Sequence, residues 1–389
     1  METQGITVAG GEARPVAALF RPLTMGKLAL ANRVVMAPMT RGYAASGVMG
    51  PDNAAYYRRR AEAGVGLVIT EGTWIDHAVA SDRLAVPRFY GEDALSAWKR
   101  VLNEVHQAGG RIFPQLWHVG MIRTRDAVAW NPAMLPAGPS GLGFPDINSP
   151  RTEQVSPPMS RADITAVVQA FVQAAEQAYR LGFDGIELHG AHGYLIDQFF
   201  WDLTNRRDDE YGGGIRERTR FAVEIIRECR RRTAPDFPIC LRYSQWKSAD
   251  YEAKLARNPG ELEQLLAPLV SAGVDIFHCS TRRYWEPAFE GSTLSLAGWT
   301  KKITGKTTIA VGSVGLDQVH QTRRVEAVAG YTAQPASLDR LLEMLEREEF
   351  DLVAVGRAML VDHAWARKVR NGNWAELLPY STAVREIMY

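Results

Sequence analysis

The sequence predicts an α/β fold, a parallel (β/α)8 TIM barrel with an N-terminal extension and long loops after strands three and five. Three observations carry that expectation. Eight short, largely apolar runs recur along the chain. Such runs suit strands covered on both faces. Amphipathic helical stretches separate them, and repeated βα alternation is the pattern of a parallel barrel. An open doubly wound sheet would want a GxGxxG motif after its first strand, and none occurs.

The runs fall in order. They span Val34 to Met39, Gly66 to Thr70, Arg111 to Leu116, Gly185 to Leu188, Ile239 to Tyr243, Asp275 to Cys279, Thr308 to Val311 and Asp351 to Val355. Between them, Asp93 to Ala108 reads as a helix stopped by Gly109 and Gly110. Asp163 to Tyr179 is the clearest helix, with Ser160 as N-cap and Gly182 as stop. Glu217 to Arg232 and Glu261 to Ala272 follow the same pattern. The Pro- and Gly-rich stretch from Gly120 to Ser160, and the polar one from Tyr243 to Asn258, exceed what a barrel needs. Long loops after strands are where barrel enzymes place specificity. Residues 1–18 read as a flexible leader and 19–389 as one domain.

Composition narrows the function. Basic residues number 45 and acidic residues 44, so charge offers no reason to expect nucleic acid or an anionic membrane as partner. No apolar run approaches the ~18 residues of a membrane span. Cys229, Cys240 and Cys279 form no CxxC pair, which excludes a four-cysteine zinc site or iron–sulfur cluster. Free thiols and the lack of an apolar leader fit a cytoplasmic protein.

In such a barrel the C-terminal strand ends surround the active site. The run boundaries therefore nominate Thr40, Glu71, Gly72, Gln115, Trp117, His118, His189, His192, Tyr194, Arg242, Ser280, Gly312, Ser313, Gly356 and Arg357. Gly312-Ser313 and Gly356-Arg357 close strands seven and eight, the habitual phosphate site of this fold. Glycines let backbone N–H groups approach an anion, and Arg adds a bidentate charge. A simple tight turn is the other reading. His189 and His192 suit a metal pair, a structural hydrogen-bonded pair or a donor pair for substrate. Thr40, Gln115 and Arg242 are polar groups on apolar strands. They need partners, which an aromatic cofactor with a polar rim or a satisfied core layer would supply.

Several ordered stretches resemble the old yellow enzyme family of flavin-dependent ene-reductases. They are Asn32-Arg33-Val34-Val35-Met36-Ala37-Pro38-Met39-Thr40-Arg41, Gln115-Leu116-Trp117-His118-Val119-Gly120, and Gly182 through the His189-Gly190-Ala191-His192-Gly193-Tyr194 cluster. Asn205 to Gly213 and Val353 to Arg357 add two more. The resemblance covers roughly Leu19 to Arg370. It implies non-covalent FMN in the barrel mouth and NADPH or NADH as reductant. Pro38, Met39 and Thr40 would line the flavin ring, Gly72 would admit it closely, and Gln115 would meet its pyrimidine end. Arg242 would stand beside N1 and O2. Gly312, Ser313, Gly356 and Arg357 would hold the phosphate. His189 and His192 would grip a substrate carbonyl oxygen, Tyr194 would deliver a proton, and Trp117 would shape the substrate side.

Departures bear on the substrate. Met121 stands where relatives often carry Arg, and Arg242 to Lys247 differs from their Arg-x-Ser-Pro run. The expected function is NAD(P)H-driven reduction of the C=C bond of an α,β-unsaturated carbonyl compound, with a homodimer compatible. One rival keeps the flavin but oxidises an amine held in an aromatic cage of Trp246, Tyr284 and Trp285. Another is a metal-assisted hydrolase using His189 and His192.

Overall fold

Eight parallel strands close into a barrel in the computed structural model, which describes residues 16–123, 131, 133–145, 151–319 and 331–388. The strands are β1 (Val34–Met36), β2 (Leu67–Trp74), β3 (Ile112–Trp117), β4 (Ile186–His192), β5 (Ile239–Lys247), β6 (Ile276–Ser280), β7 (Thr307–Val311) and β8 (Leu352–Val355). Each pairs with its sequence neighbour, and β8 pairs with β1, so no edge is left open. All eight apolar runs are strands.

The outer ring holds α1 (Pro51–Glu62), α2 (Glu92–Gln107), α3 (Arg161–Leu181), α4 (Leu195–Phe200), α5 (Arg220–Arg232), α6 (Pro259–Ala272), α7 (Leu296–Thr304) and α8 (Asp339–Glu346), followed by α9 (Arg357–Val361) and α10 (Trp365–Arg370). The α3 boundaries follow from their caps. Ser160 Oγ accepts from the Asp163 backbone N–H, the Asp163 carboxylate accepts from the Ser160 N–H, and Gly182 ends the helix at φ +93°.

Apolar side chains form two cores. One lies between strands and helices. The other fills the barrel lumen with Val35, Leu67, Ile69, Phe113, Ile276 and Ile309. An antiparallel hairpin, Leu23–Met25 with Leu28–Leu30, adds Leu28 and Leu30 to the lumen cluster and plugs that end. Gly185 shows how tightly the lumen is packed. A Cβ there would lie 2.5 Å from the Phe113 ring.

Five boundaries differ from the sequence expectation. The first strand stops at Met36, so Pro38, Met39 and Thr40 lie on the loop beyond it. β2 continues to Trp74 past a register shift between Ile69 and Gly72. β4 and β5 continue to His192 and Lys247 past a shift after Gly190. These shifts re-aim side chains at the mouth, as bulges do. Finally, Val16–Phe20 is a 3-10 helix that buries Ala18 and Leu19 against the core. The packed chain thus begins before residue 19, because two apolar residues gain burial there. Residues 1–15 of the expected leader lie outside the described residues.

Candidate active site

The strand ends open into one cavity of about 600 Å³, within the range of small-molecule sites. All fourteen residues nominated for cofactor, substrate or proton transfer border it.

One side is built by β7 and β8. After Val311 the backbone turns sharply: Gly312 has φ +133° and Ser313 φ +54°. A Cβ on Gly312 would sit 2.5 Å from the Thr281 carbonyl oxygen, so only glycine fits. Arg357 is braced here, donating to the Tyr331 hydroxyl at 3.0 Å and the Gln318 carbonyl at 2.6 Å.

The floor is polar and largely satisfied from beneath. Gln115 Nε2 donates to Glu187 Oε1 at 2.7 Å, and Glu187 Oε2 meets His278 Nδ1 at 2.7 Å. Burial opposes the Glu187 charge. His278, Arg242 and the Gln115 hydrogen bond prevail, and its carboxyl is held below the usual range. The Gln115 side chain is thereby oriented with its amide nitrogen spent below. Arg242 projects from β5, and Nη2 donates to Ser280 Oγ at 3.2 Å. Its Nε is buried without a protein partner, as are His189 Nδ1 and Trp117 Nε1. Buried orphans of this kind ask for a ligand or ordered water.

The opposite side is aromatic. The His189 and Tyr194 rings lie 4.9 Å apart, and Trp117 meets Tyr194 at 4.9 Å. His192 is 5.2 Å from His189 at a right angle. The two histidines are not equivalent. His192 Nε2 is hydrogen-bonded to Ser280 Oγ at 2.7 Å, and Trp246 stacks on its ring at 4.4 Å. His189 makes no such bond. Burial first, and then the Arg242 charge, holds both imidazoles well below the ordinary histidine range. Both are neutral at pH 7 and act as donors rather than as cations. The turn that carries them is locked by a buried ion pair. Asp197 Oδ2 accepts from the Gly193 N–H at 2.7 Å, and Lys247 Nζ meets Asp197 Oδ1 at 2.6 Å.

Behind the Pro38–Thr40 loop, buried Glu71 accepts backbone N–H groups of Arg41 at 2.8 Å and Gly42 at 3.1 Å. Burial raises its carboxyl to about 7.

Sequence reasoning missed several participants. Tyr380 and Arg385 reach the cavity from the C-terminal segment, and Arg83 and Arg282 line it from loops. Glu187 and His278 do carry a signal, as titratable residues inside the apolar runs Ile186–Leu188 and Ile276–Cys279. The aromatic cage is not assembled. Trp246 borders the cavity, but Tyr284 and Trp285 do not. Tyr284 is buried, and Trp285 packs on it at 4.8 Å with Arg340 over its ring. Among the described residues, no three His, Cys, Asp or Glu side chains are grouped to hold a metal. None of the described helices is long and apolar enough to cross a membrane.

The site answers two demands of FMN: a glycine-lined turn with an Arg for an anionic phosphate, and buried, unpartnered donors around a flat polar-edged ring. Comparison with known proteins agrees. Residues 18–376 match the profile of the NADH:flavin oxidoreductase / NADH oxidase family. The chain is 31% identical over 368 residues to the NADH oxidase of Thermoanaerobacter brockii, covering 92% of this chain and 52% of that protein. It therefore spans about half that relative's length. It is 32% identical over 330 residues to 12-oxophytodienoate reductase 2 of Arabidopsis thaliana, covering 78% of this chain and 85% of that protein. Among solved structures, morphinone reductase in complex with tetrahydroNAD superposes with a TM-score of 0.75 at 27% identity, over 94% and 93% of the two chains.

Proposed function

Because the chain belongs to the NADH:flavin oxidoreductase / NADH oxidase family, the old yellow enzyme family, whose cofactors are FMN and NAD(P)H, we propose that it reduces the activated C=C bond of an α,β-unsaturated carbonyl compound. Bound FMN would supply the hydride chemistry that links NAD(P)H to the β-carbon of the alkene. The remaining work falls to residues of this chain.

The Gly312–Ser313 turn, Gly356 and Arg357 would hold the FMN phosphate, and Pro38, Met39, Thr40, Gly72 and Gln115 would border its ring. Arg242, charged and buried, supplies the positive field at the floor. His189 donates to the substrate carbonyl oxygen from its neutral ring. His192, held by Ser280 and Trp246, offers its other nitrogen. Donors aimed at an oxygen that gains negative charge stabilise the transition state more than the ground state. Tyr194 then gives its hydroxyl proton to the α-carbon, so the alkene gains a hydride and a proton in all. Trp117 walls the substrate side.

The observation that carries this reading is the convergence of all fourteen residues on one cavity, whose lining includes the imidazoles, the phenol and the glycine-lined turn. Purified protein should be yellow with flavin absorption bands. Anaerobic NADPH or NADH should bleach it, and an enone should restore the colour. Bleaching by an amine but not by either nicotinamide would overturn the reading in favour of amine oxidation. Arginines around the cavity already disfavour a cationic substrate.

A further inference from the structure

We propose that the substrate half of the cavity is built to hold an anionic oxygen group, a carboxylate or phosphate, and that Arg83 reads it. The inference rests on the ene-reductase reading of the same site.

Six arginines border the cavity: Arg41, Arg83, Arg242, Arg282, Arg357 and Arg385. No Asp or Glu among the described residues borders it. The whole chain carries a net charge of only +1, so this is a local concentration and not a reflection of composition. Most of the six have structural or cofactor work. Arg41 ties down the C-terminal segment through the Val384 and Ile387 carbonyls. Arg242 serves the floor and Arg357 the β7–β8 turn. Arg385 donates to the Tyr380 hydroxyl at 2.9 Å, and Arg282 lies over the Tyr251 ring at 3.7 Å.

Arg83 is placed differently. It sits on the loop between β2 and α2, and the barrel order puts β2 and β3 across the mouth from β6 and β7. A flavin phosphate held at Gly312 and Ser313 is therefore on the far side. The Arg83 loop is tied to the substrate wall instead. Val119 N–H donates to the Ala80 carbonyl at 2.9 Å, and Ile75 N–H to the Trp117 carbonyl at 3.3 Å. Ser81 fixes the Arg83 backbone from both sides at 3.1 Å.

Among the described residues, the local charge does not balance. Arg83 meets Asp82 at 3.9 Å, the outer limit of an ion pair. The same carboxylate also acts electrostatically on buried Arg123. Among the described residues, two guanidiniums thus share one carboxylate. A guanidinium fork recognises carboxylate and phosphate alike. Two sources offer that group here: a carboxylate carried by the alkene, or the 2′-phosphate that distinguishes NADPH from NADH.

The test compares wild type with Arg83→Gln and Arg83→Lys in the FMN-loaded protein. One arm measures equilibrium binding of 3-(4-hydroxyphenyl)propionate and of its methyl ester by the phenol charge-transfer band. The other measures the dissociation constants of NADPH and NADH in anaerobic flavin reduction. Arg83 is partly exposed, with 41% of its side chain accessible, so screening limits the effect to about 5–10-fold. If the alkene carries the anion, Arg83→Gln weakens the acid by that factor but not the ester. Arg83→Lys recovers part of the loss, and added salt shrinks the difference. If NADPH carries it, the NADPH-over-NADH ratio falls instead. No selective change in either arm would overturn the proposal. Failure of wild type to bind either phenol or to be reduced by either nicotinamide would instead sink the ene-reductase reading.

Discussion

At the lower end of the barrel lumen, Leu28 and Leu30 of the hairpin meet Leu67, Phe113 and Ile309 in a packed apolar cluster. At the upper end, the same alternating strand positions carry Gln115, His189 and Arg242, and buried nitrogens of the two latter residues find no partner within the protein. Between the two lies the Gln115–Glu187–His278 layer, where the Glu187 carboxylate is matched on both oxygens by Gln115 and His278. The contrast teaches a division of labour. The lower lumen supplies burial and the upper lumen supplies unsatisfied donors, which a barrel tolerates only where a ligand arrives.

The sharpest way to break that contrast is Tyr194→Phe, at the upper end. Removing the hydroxyl with little change in volume should leave the melting temperature near wild type. Enone reduction should slow by about 10²–10⁴, the usual worth of a positioned acid, while flavin reduction by NAD(P)H keeps its rate. Stopped-flow measurement of both half-reactions separates the outcomes. Equal slowing of both would make Tyr194 structural.

Phe113→Ala makes the complementary change at the lower end. Phe113 is fully buried, so its loss should cost about 3–5 kcal/mol of stability in denaturant titration. The dissociation constant for a phenol, measured at low temperature, should not move. A large shift in phenol affinity would mean that the two ends are coupled.

Within the upper end, the two histidines should separate. His189→Ala should weaken phenolate binding by about 1.5–3 kcal/mol, the scale of a hydrogen bond to a charged group. His192→Ala should weaken it less, because one ring nitrogen already serves Ser280. Equal losses would show that ligand binding draws His192 away from Ser280.

The smallest effect is a pH slope. Buried His118, His189, His192 and His278 have depressed values in the folded chain. Below about 6.5 the unfolded chain binds protons that the fold refuses, so their stabilisation is lost as pH falls. Glu71 works in the opposite sense. Its carboxyl is raised to about 7, so the folded chain holds a proton that the unfolded one has lost. Its contribution is complete below about 4.5 and fades as pH rises to about 7. Glu71→Gln keeps the acceptor and removes that opposing slope. Thermal melts between pH 5 and 7 should then rise more steeply with pH, by up to about 1.4 kcal/mol per pH unit. An unchanged slope would place the Glu71 carboxyl in its ordinary range.

Much of this was legible in the amino-acid order. Each barrel strand announces itself as a continuous apolar run, because a strand covered on both faces needs no polar alternation. Strand ends then follow, and with them the nominated residues. The Ser160 and Gly182 signals bounded α3 because capping is a local interaction within a few residues. The sequence alone therefore determined the barrel, its order and fourteen of the residues at its mouth.

Tertiary structure decided how those residues divide the work. His192 and Ser280 lie 88 positions apart and become partners only when β4 and β6 curve toward one mouth. The register shifts before Gly72 and after Gly190 carry the strands on to Trp74, His192 and Lys247, and a register shift leaves no compositional trace. Tyr284 and Trp285 look like a cage in sequence, yet packing turns them away from the cavity, since large rings gain more from burial than from facing a polar site. Arg83 reads as one more surface cation until barrel closure sets it on the rim of the cavity that Trp117 also borders. Propensity acts over a few residues. Charge balance and side-chain direction at a barrel mouth depend on eight strands at once, so only the closed fold could settle them.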